Sequence, residues 1–286
     1  MGAIRKMIQE KLLDIDVKID ECNDILTLNI FDSSDMWYKI AAAMQSIVIP
    51  IALTIITICF LIEFLKITIQ MDILKWEYGL KCVSKLIFAK VCIDVSTYFL
   101  DATYSTAASW TSSALNTSIT DKKGTVVQDV GSYIWGLIAD TVADAGTFEL
   151  LGIFITTGIF FLAISVAVTI TEVMAYARAF EICVLLSMAP LPCAFLPLED
   201  GGMSRIPRKY FFSFASVCLS GLFMIISIKL YTFLVSSLVL QTVTAAGDEK
   251  KVSIGSLAGT LFMASIVLVI AVVKSGSWAQ KIFDVG

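Results

Sequence analysis

The chain has 286 residues, 57% of them hydrophobic and 16% charged, with a formal net charge of −4 and a mean hydropathy of +0.84. A soluble domain is nearer about 45–50% apolar and 25% charged, so this sequence has too little polar surface for a water-soluble fold and reads as an all-α integral membrane protein. Histidine is absent, which excludes Ser-His-Asp and Cys-His nucleophilic sites, HExxH zinc sites and His-ligated haem. No Walker A or GxGxxG run occurs, and neither enzymatic activity nor a cofactor is expected.

The first predicted element covers residues 1–30, where Ile4, Ile8, Leu12, Ile15, Ile19, Cys22 and Leu26 recur at steps of four and three and so form one helical stripe. The opposite face carries Arg5, Lys6, Lys11 and Lys18 against Glu10, Asp14, Asp16, Asp20, Glu21 and Asp24. A helix lying on anionic lipid would favour Lys and Arg, so the stripe is expected to pack against a partner helix, or else to fold onto its own membrane domain. With charges every few residues this segment lacks the apolar h-region of a signal peptide, and the first hydrophobic span is expected to act as its own insertion signal.

That span is Ile40 to Ile62, long enough for a hydrocarbon layer of ~30 Å, with Pro50 expected to kink it. Glu63 and the lysines 66, 75, 81, 85 and 90 follow, which places this loop in the cytoplasm and the N-terminal helix outside. From Leu86 to Trp110, Lys90, Asp94, Thr97, Asp101 and Ser105 share a helical face on an otherwise apolar segment. Charges facing lipid are costly, so this helix is read as a span turned toward a bundle interior or a water-filled path, or else as an interfacial helix. Lys90 and Asp94 are also spaced to pair with each other.

Residues 111–148 are Ser/Thr-rich and poor in basic residues, which reads as an external loop; within it Val126, Val127, Val130, Ile134, Leu137, Ile138 and Val142 predict a short amphipathic helix at the outer leaflet. A span from Glu149 to Thr171 follows, ending at Glu172, Arg178 and Glu181. The next apolar stretch contains Pro190, Pro192 and Pro197 and cannot continue as one straight helix. Spans at Tyr210–Leu240 and Ile254–Val273 complete the membrane region. In the former, Ser216 and Ser220 suit close helix packing; in the latter, Gly255 and Gly259 form a G-x-x-x-G. Lys229 either snorkels toward headgroups or faces the same interior as Lys90, Asp94 and Asp101.

If the proline stretch re-enters and returns, then Arg205, Arg208 and Lys209 are cytoplasmic together with Lys274 and Lys281, and every basic cluster obeys the positive-inside rule. The fold expected is therefore five transmembrane helices plus a proline-broken re-entrant segment, against an alternative of six full spans. It divides into an N-terminal helix outside the membrane (1–30), a first helix pair (38–110), the external loop (111–148), a C-terminal bundle (149–275) and a cytoplasmic tail (276–286). Irregular backbone at membrane depth must be satisfied by protein or by a water-lined cavity, so the elbow at Ala189, Pro190, Pro192 and Pro197 implies shielding by sister chains or neighbouring subunits. The cysteines show no CxxC spacing and are read as small buried hydrophobes.

Arg178, the SMAPLPCAFLPL stretch with Ala189-Pro190, and the KYFFSFASVCLSGLFMIISI span resemble the TrbL-type polytopic inner-membrane subunit of type IV secretion systems. The likeness covers most of the chain in architecture and residues 175–230 in motif. Where that family often carries a tryptophan after the turn, this chain has Tyr210, Phe211, Phe212 and Phe214. The resemblance implies a multi-pass protein of the bacterial cytoplasmic membrane. It implies a pore-side component of a conjugation machine, a homo-oligomer working with other secretion subunits and their ATPases. Such a component would meet single-stranded DNA, its relaxase or protein substrates in transit. Lys90, Asp94, Asp101 and Lys229 are then candidates for the translocation path, and Arg178, Arg205, Arg208 and Lys209 mark the cytoplasmic boundary. The rival class is a small-molecule or ion transporter with a broken-helix site, which usually shows paired interruptions in two repeated halves.

Overall fold

The computed structural model describes residues 2–27, 36–70, 76–117, 131–136, 139, 147–198, 205–245 and 254–283. Among them the chain is all-helical: α1 (Gly2–Thr27), α2 (Met36–Gln70), α3 (Trp76–Leu115), α4 (Thr147–Met188), α5 (Pro190–Cys193), α6 (Arg205–Ala245) and α7 (Ile254–Ile282), with a short helical stretch at 131–136. Among the described residues four helices are long and apolar enough to cross a membrane, within α2, α4, α6 and α7. The protein is thus a multi-pass membrane protein. The α2, α3, α4 and α6 helices have 35, 40, 42 and 41 residues. At roughly 1.5 Å per residue they are about 50–60 Å long, well beyond the ~30 Å of hydrocarbon. α2 continues through Pro50 as one helix. Most of the expected outer-leaflet helix, the EDGG turn at 199–202 and the polar turn at 246–253 lie outside the described residues.

The chain forms two compact units. Unit 1 comprises Met1–Leu28, Trp110–Tyr176 and Gly221–Gly276. Its core gathers Ile8, Leu12, Ile15, Cys22 and Leu26 of α1 with Ile164 and Val168 of α4, Met224 and Ile228 of α6, and Leu261 and Leu268 of α7. The predicted stripe of α1 is therefore real, but its partner is the chain itself. Of the two partners weighed from the sequence, the chain's own membrane domain is the one found. Stripe periodicity specifies an apolar face without specifying what covers it. Ile134, read as part of an outer-leaflet helix, joins the same core. That placement needs a glycine beside it, because a Cβ at Gly131 would stand 1.9 Å from the carbonyl oxygen of Leu12. The Asp16 carboxylate accepts the N–H groups of Gly131 (2.7 Å) and Ser132 (2.9 Å), satisfying donors that the start of the stretch leaves open.

Unit 2 comprises Asn29–Ser109, Ala177–Ser220 and Ser277–Gly286. Here α2 and α3 pair: Glu63, nearly buried, meets Lys85 at 3.6 Å, and Gln45 Nε2 donates to Thr97 Oγ1 at 2.6 Å. The buried stripe of α3 runs Cys82, Ala89, Ile93, Ser96, Leu100, Tyr104 and Ala107, a mixture of small and large side chains that lets α2 approach closely at Ala52. Outward, α2 presents Ile47, Ile58, Leu61 and Leu65, an apolar surface suited to lipid.

Candidate functional site

The feature built with most care is the break after α4. In a continuing helix the Leu186 carbonyl would accept from residue 190 and the Leu185 carbonyl from residue 189. Residue 190 is proline and has no N–H. The N–H of Ala189 therefore shifts to Leu186 at 3.3 Å, and Leu185 loses its helical donor. The Tyr210 hydroxyl, one helix further on, donates to that Leu185 oxygen. Beyond α5 the backbone tightens into three-residue turns: Ala194 to Leu191, Phe195 to Pro192, Leu196 to Cys193 and Leu198 to Phe195, at 3.2–3.3 Å. Cys193 and Ala194 seat against Ala52, Ile56, Ala89 and Ile93, and Pro190, Pro192 and Pro197 are buried. Phe211 packs edge-on against Phe99 at 4.9 Å.

The elbow was expected to need neighbouring subunits to cover its carbonyls. Within its own unit the elbow packs on residues of α2, α3 and the start of α6, and Tyr210 supplies a donor to one of those carbonyls, that of Leu185. Sequence reasoning passed over Tyr210 as one more aromatic. The signal for its role was a hydroxyl in an apolar run, which needs a partner.

A second bridge joins the same two helices. Arg178 is only 9% exposed; its Nε donates to the carbonyl of Val217 (3.0 Å) and its Nη2 to that of Cys218 (2.8 Å). Two successive main-chain oxygens match the planar guanidinium fork. Ser220 Oγ also donates to Val217 O at 2.6 Å. Residues 178 and 185 of α4 thus meet residues 217/218 and 210 of α6, an antiparallel clamp whose closed end is the elbow. Of the boundary residues read from sequence, Arg205, Arg208 and Lys209 are exposed, with Arg208 over the Phe212 ring at 5.3 Å. Arg178 differs from them in being turned into the packing.

The path candidates stand elsewhere. Lys90, Asp94 and Asp101 are exposed on α3, each one position past a member of its buried stripe; they belong to unit 2, whereas the partly buried Lys229 belongs to unit 1. Ser216 and Ser220 are buried as packing residues would be. A Cβ added at Gly259 would meet open space, so among the described residues no close helix approach uses that glycine, and nothing is described of Gly255 beyond its place in α7. Among the described residues no cluster of His, Cys, Asp and Glu could hold a metal ion.

These observations define an all-helical, multi-pass membrane protein with a clamped helix break. A family model described as TrbL/VirB6 plasmid conjugal transfer like protein matches residues 30–190, more than half of the chain, and the chain belongs to that family. The match runs from just before α2 to the first residue of the elbow helix; α1, α6 and α7 lie outside it. No curated protein and no solved structure matches.

Proposed function

We propose that this protein is a pore-side channel component of a conjugative type IV secretion system in the bacterial cytoplasmic membrane. It helps to pass single-stranded DNA with its relaxase, or protein substrates, and has no catalytic role of its own. The observation that carries this reading is the family match across α2, α3 and α4 up to Pro190. The reading takes the topology as five spans with a re-entrant elbow, N-terminus outside and C-terminus inside. It supplies a ring of copies, with partner ATPases providing the energy. The clamp supports it: a break held by the chain's own Arg178 and Tyr210 gives a rigid shape that neighbouring subunits can build upon. Deleting the gene in a donor strain is expected to abolish transfer, and supplying it in trans to restore transfer. Undiminished transfer from the deletion strain would refute the reading. Solute uptake by the purified protein alone in vesicles would favour the transporter class instead.

A further inference from the structure

The α3 helix carries charge where its neighbour α2 carries none. From Ile40 to Ile62 α2 has no charged residue, about the ~20 residues that span hydrocarbon, and α3 lies antiparallel beside most of that run. Gln45 meets Thr97 at 2.6 Å near one end of it, and Glu63 meets Lys85 at 3.6 Å just past the other. Between them Ala52 and Ile56 share a core with Ala89 and Ile93. Lys90 and Asp94 each follow one of those last two residues in the chain, so both stand level with the middle of the run. Asp101, one turn beyond Thr97, stands level with its start.

All three are exposed, and among the described residues none of them has an ion pair or a hydrogen-bond partner in its own chain. Headgroups are about 15 Å from the middle of a ~30 Å layer, too far for a lysine stem to snorkel and further still beyond an aspartate. Bare charge against lipid at that level is costly. A water-filled wall would be polar across a broad arc. Here the stripe is narrow: α3 exposes Ile87, Val91, Val95 and Tyr98 beside it, and α2 exposes Ile47, Ile51, Ile58 and Leu61. A line of polar groups within an apolar surface is the pattern by which helices join in a membrane.

We propose that the charged edge of α3 is the joint with a second copy of this chain, packed parallel about an axis along the membrane normal. Identical residues then share one depth, and Lys90 of each copy lies one helical turn, about 6 Å along the axis, from Asp94 of the other. The stripe is its own complement: two reciprocal lysine–aspartate pairs satisfy four charges that the separate chains leave open. The joint couples copies in pairs, and a larger ring adds a second, different contact. It assigns Lys90 and Asp94 to the assembly, where the family likeness by itself would set them on the translocation path. The ring of copies rests on the channel reading above; the pairing does not. Association is therefore read in membranes without a mating partner, where it succeeds or fails independently of transfer.

The test co-produces two differently tagged forms of the full chain and isolates one of them from membranes in mild detergent. Lys90→Asp copies should retain each other roughly ten-fold less than parent copies do, and Asp94→Lys copies likewise, because like charges then face each other across the joint. A Lys90→Asp copy and an Asp94→Lys copy should retain each other as parent copies do, since opposite charges meet again. A pairing within one chain could not be restored in this way. Parent-like retention of either variant by itself, or no recovery in the mixture, would overturn the proposal. Should either variant not accumulate, Ile87→Cys, which keeps every charge and shares the face of Lys90 and Asp94, is treated with an oxidant in membranes. A disulfide-linked dimer that the unaltered protein does not form is expected. Reaction of Ile87→Cys with an impermeant thiol reagent in place of crosslinking would put a water-filled passage there, and silence toward both would put lipid there; either result would overturn the proposal.

Discussion

Replacing Tyr210 by phenylalanine removes one oxygen and keeps the ring packed beside Phe211. What changes is the Leu185 carbonyl, whose helical donor has moved to Leu186 because residue 190 is proline. The Tyr210 hydroxyl is its replacement donor. An acceptor stranded in apolar surroundings costs about 1–3 kcal/mol. Tyr210 is only partly buried, which places the expected loss at about 1–2 kcal/mol. At roughly 2 °C per kcal/mol for a chain of this size, the melting midpoint in mild detergent should fall by about 2–4 °C. Limited proteolysis near the elbow should quicken in the same variant. Tyr98→Phe is the control, since Tyr98 is 75% exposed on α3 and should leave both readouts unchanged. If Tyr210→Phe melts and cleaves like Tyr98→Phe, the account of how this helix break is satisfied is wrong.

Four further outcomes are expected. Gly131→Ala should destabilise by about 1–3 kcal/mol, the usual cost of overpacking, because its Cβ meets the Leu12 backbone; Gly136→Ala, in open space on the same helical stretch, should be neutral or stabilising, so matching thermal shifts would refute the close approach of α1. Arg178→Lys should lose roughly 1.5–3 kcal/mol, since a point charge cannot serve the Val217 and Cys218 carbonyls as the fork does; a cysteine pair across α4 and α6 that crosslinks as efficiently as in the parent would contradict this. Pro190→Ala combined with Pro192→Ala should leave membrane insertion intact and abolish transfer, and wild-type transfer by a stably accumulated double variant would refute it. Ser204→Cys should be labelled from the cytoplasmic side; labelling from outside alone would exclude the re-entrant topology.

Much of this molecule is written locally in the chain. The apolar runs report where helices can cross lipid, because the hydrocarbon thickness fixes a length that a window of residues reveals. The four-and-three spacing of Ile8, Leu12, Ile15, Cys22 and Leu26 reports a helix with one buried side, because that spacing follows from the helical repeat. Pro190 and Pro192 report the end of α4, because a missing N–H and a ring clash act within one turn.

What covers each of these features was decided only by tertiary packing. The stripe of α1 does not say whether another chain or its own core receives it. Arg178 does not show that its acceptors are main-chain oxygens 39 and 40 residues away. Tyr210 does not show that it answers a carbonyl orphaned by a proline in another helix. Periodicity and propensity describe one surface at a time, whereas a hydrogen bond or a packed face needs two, and the second is placed by the arrangement of remote helices.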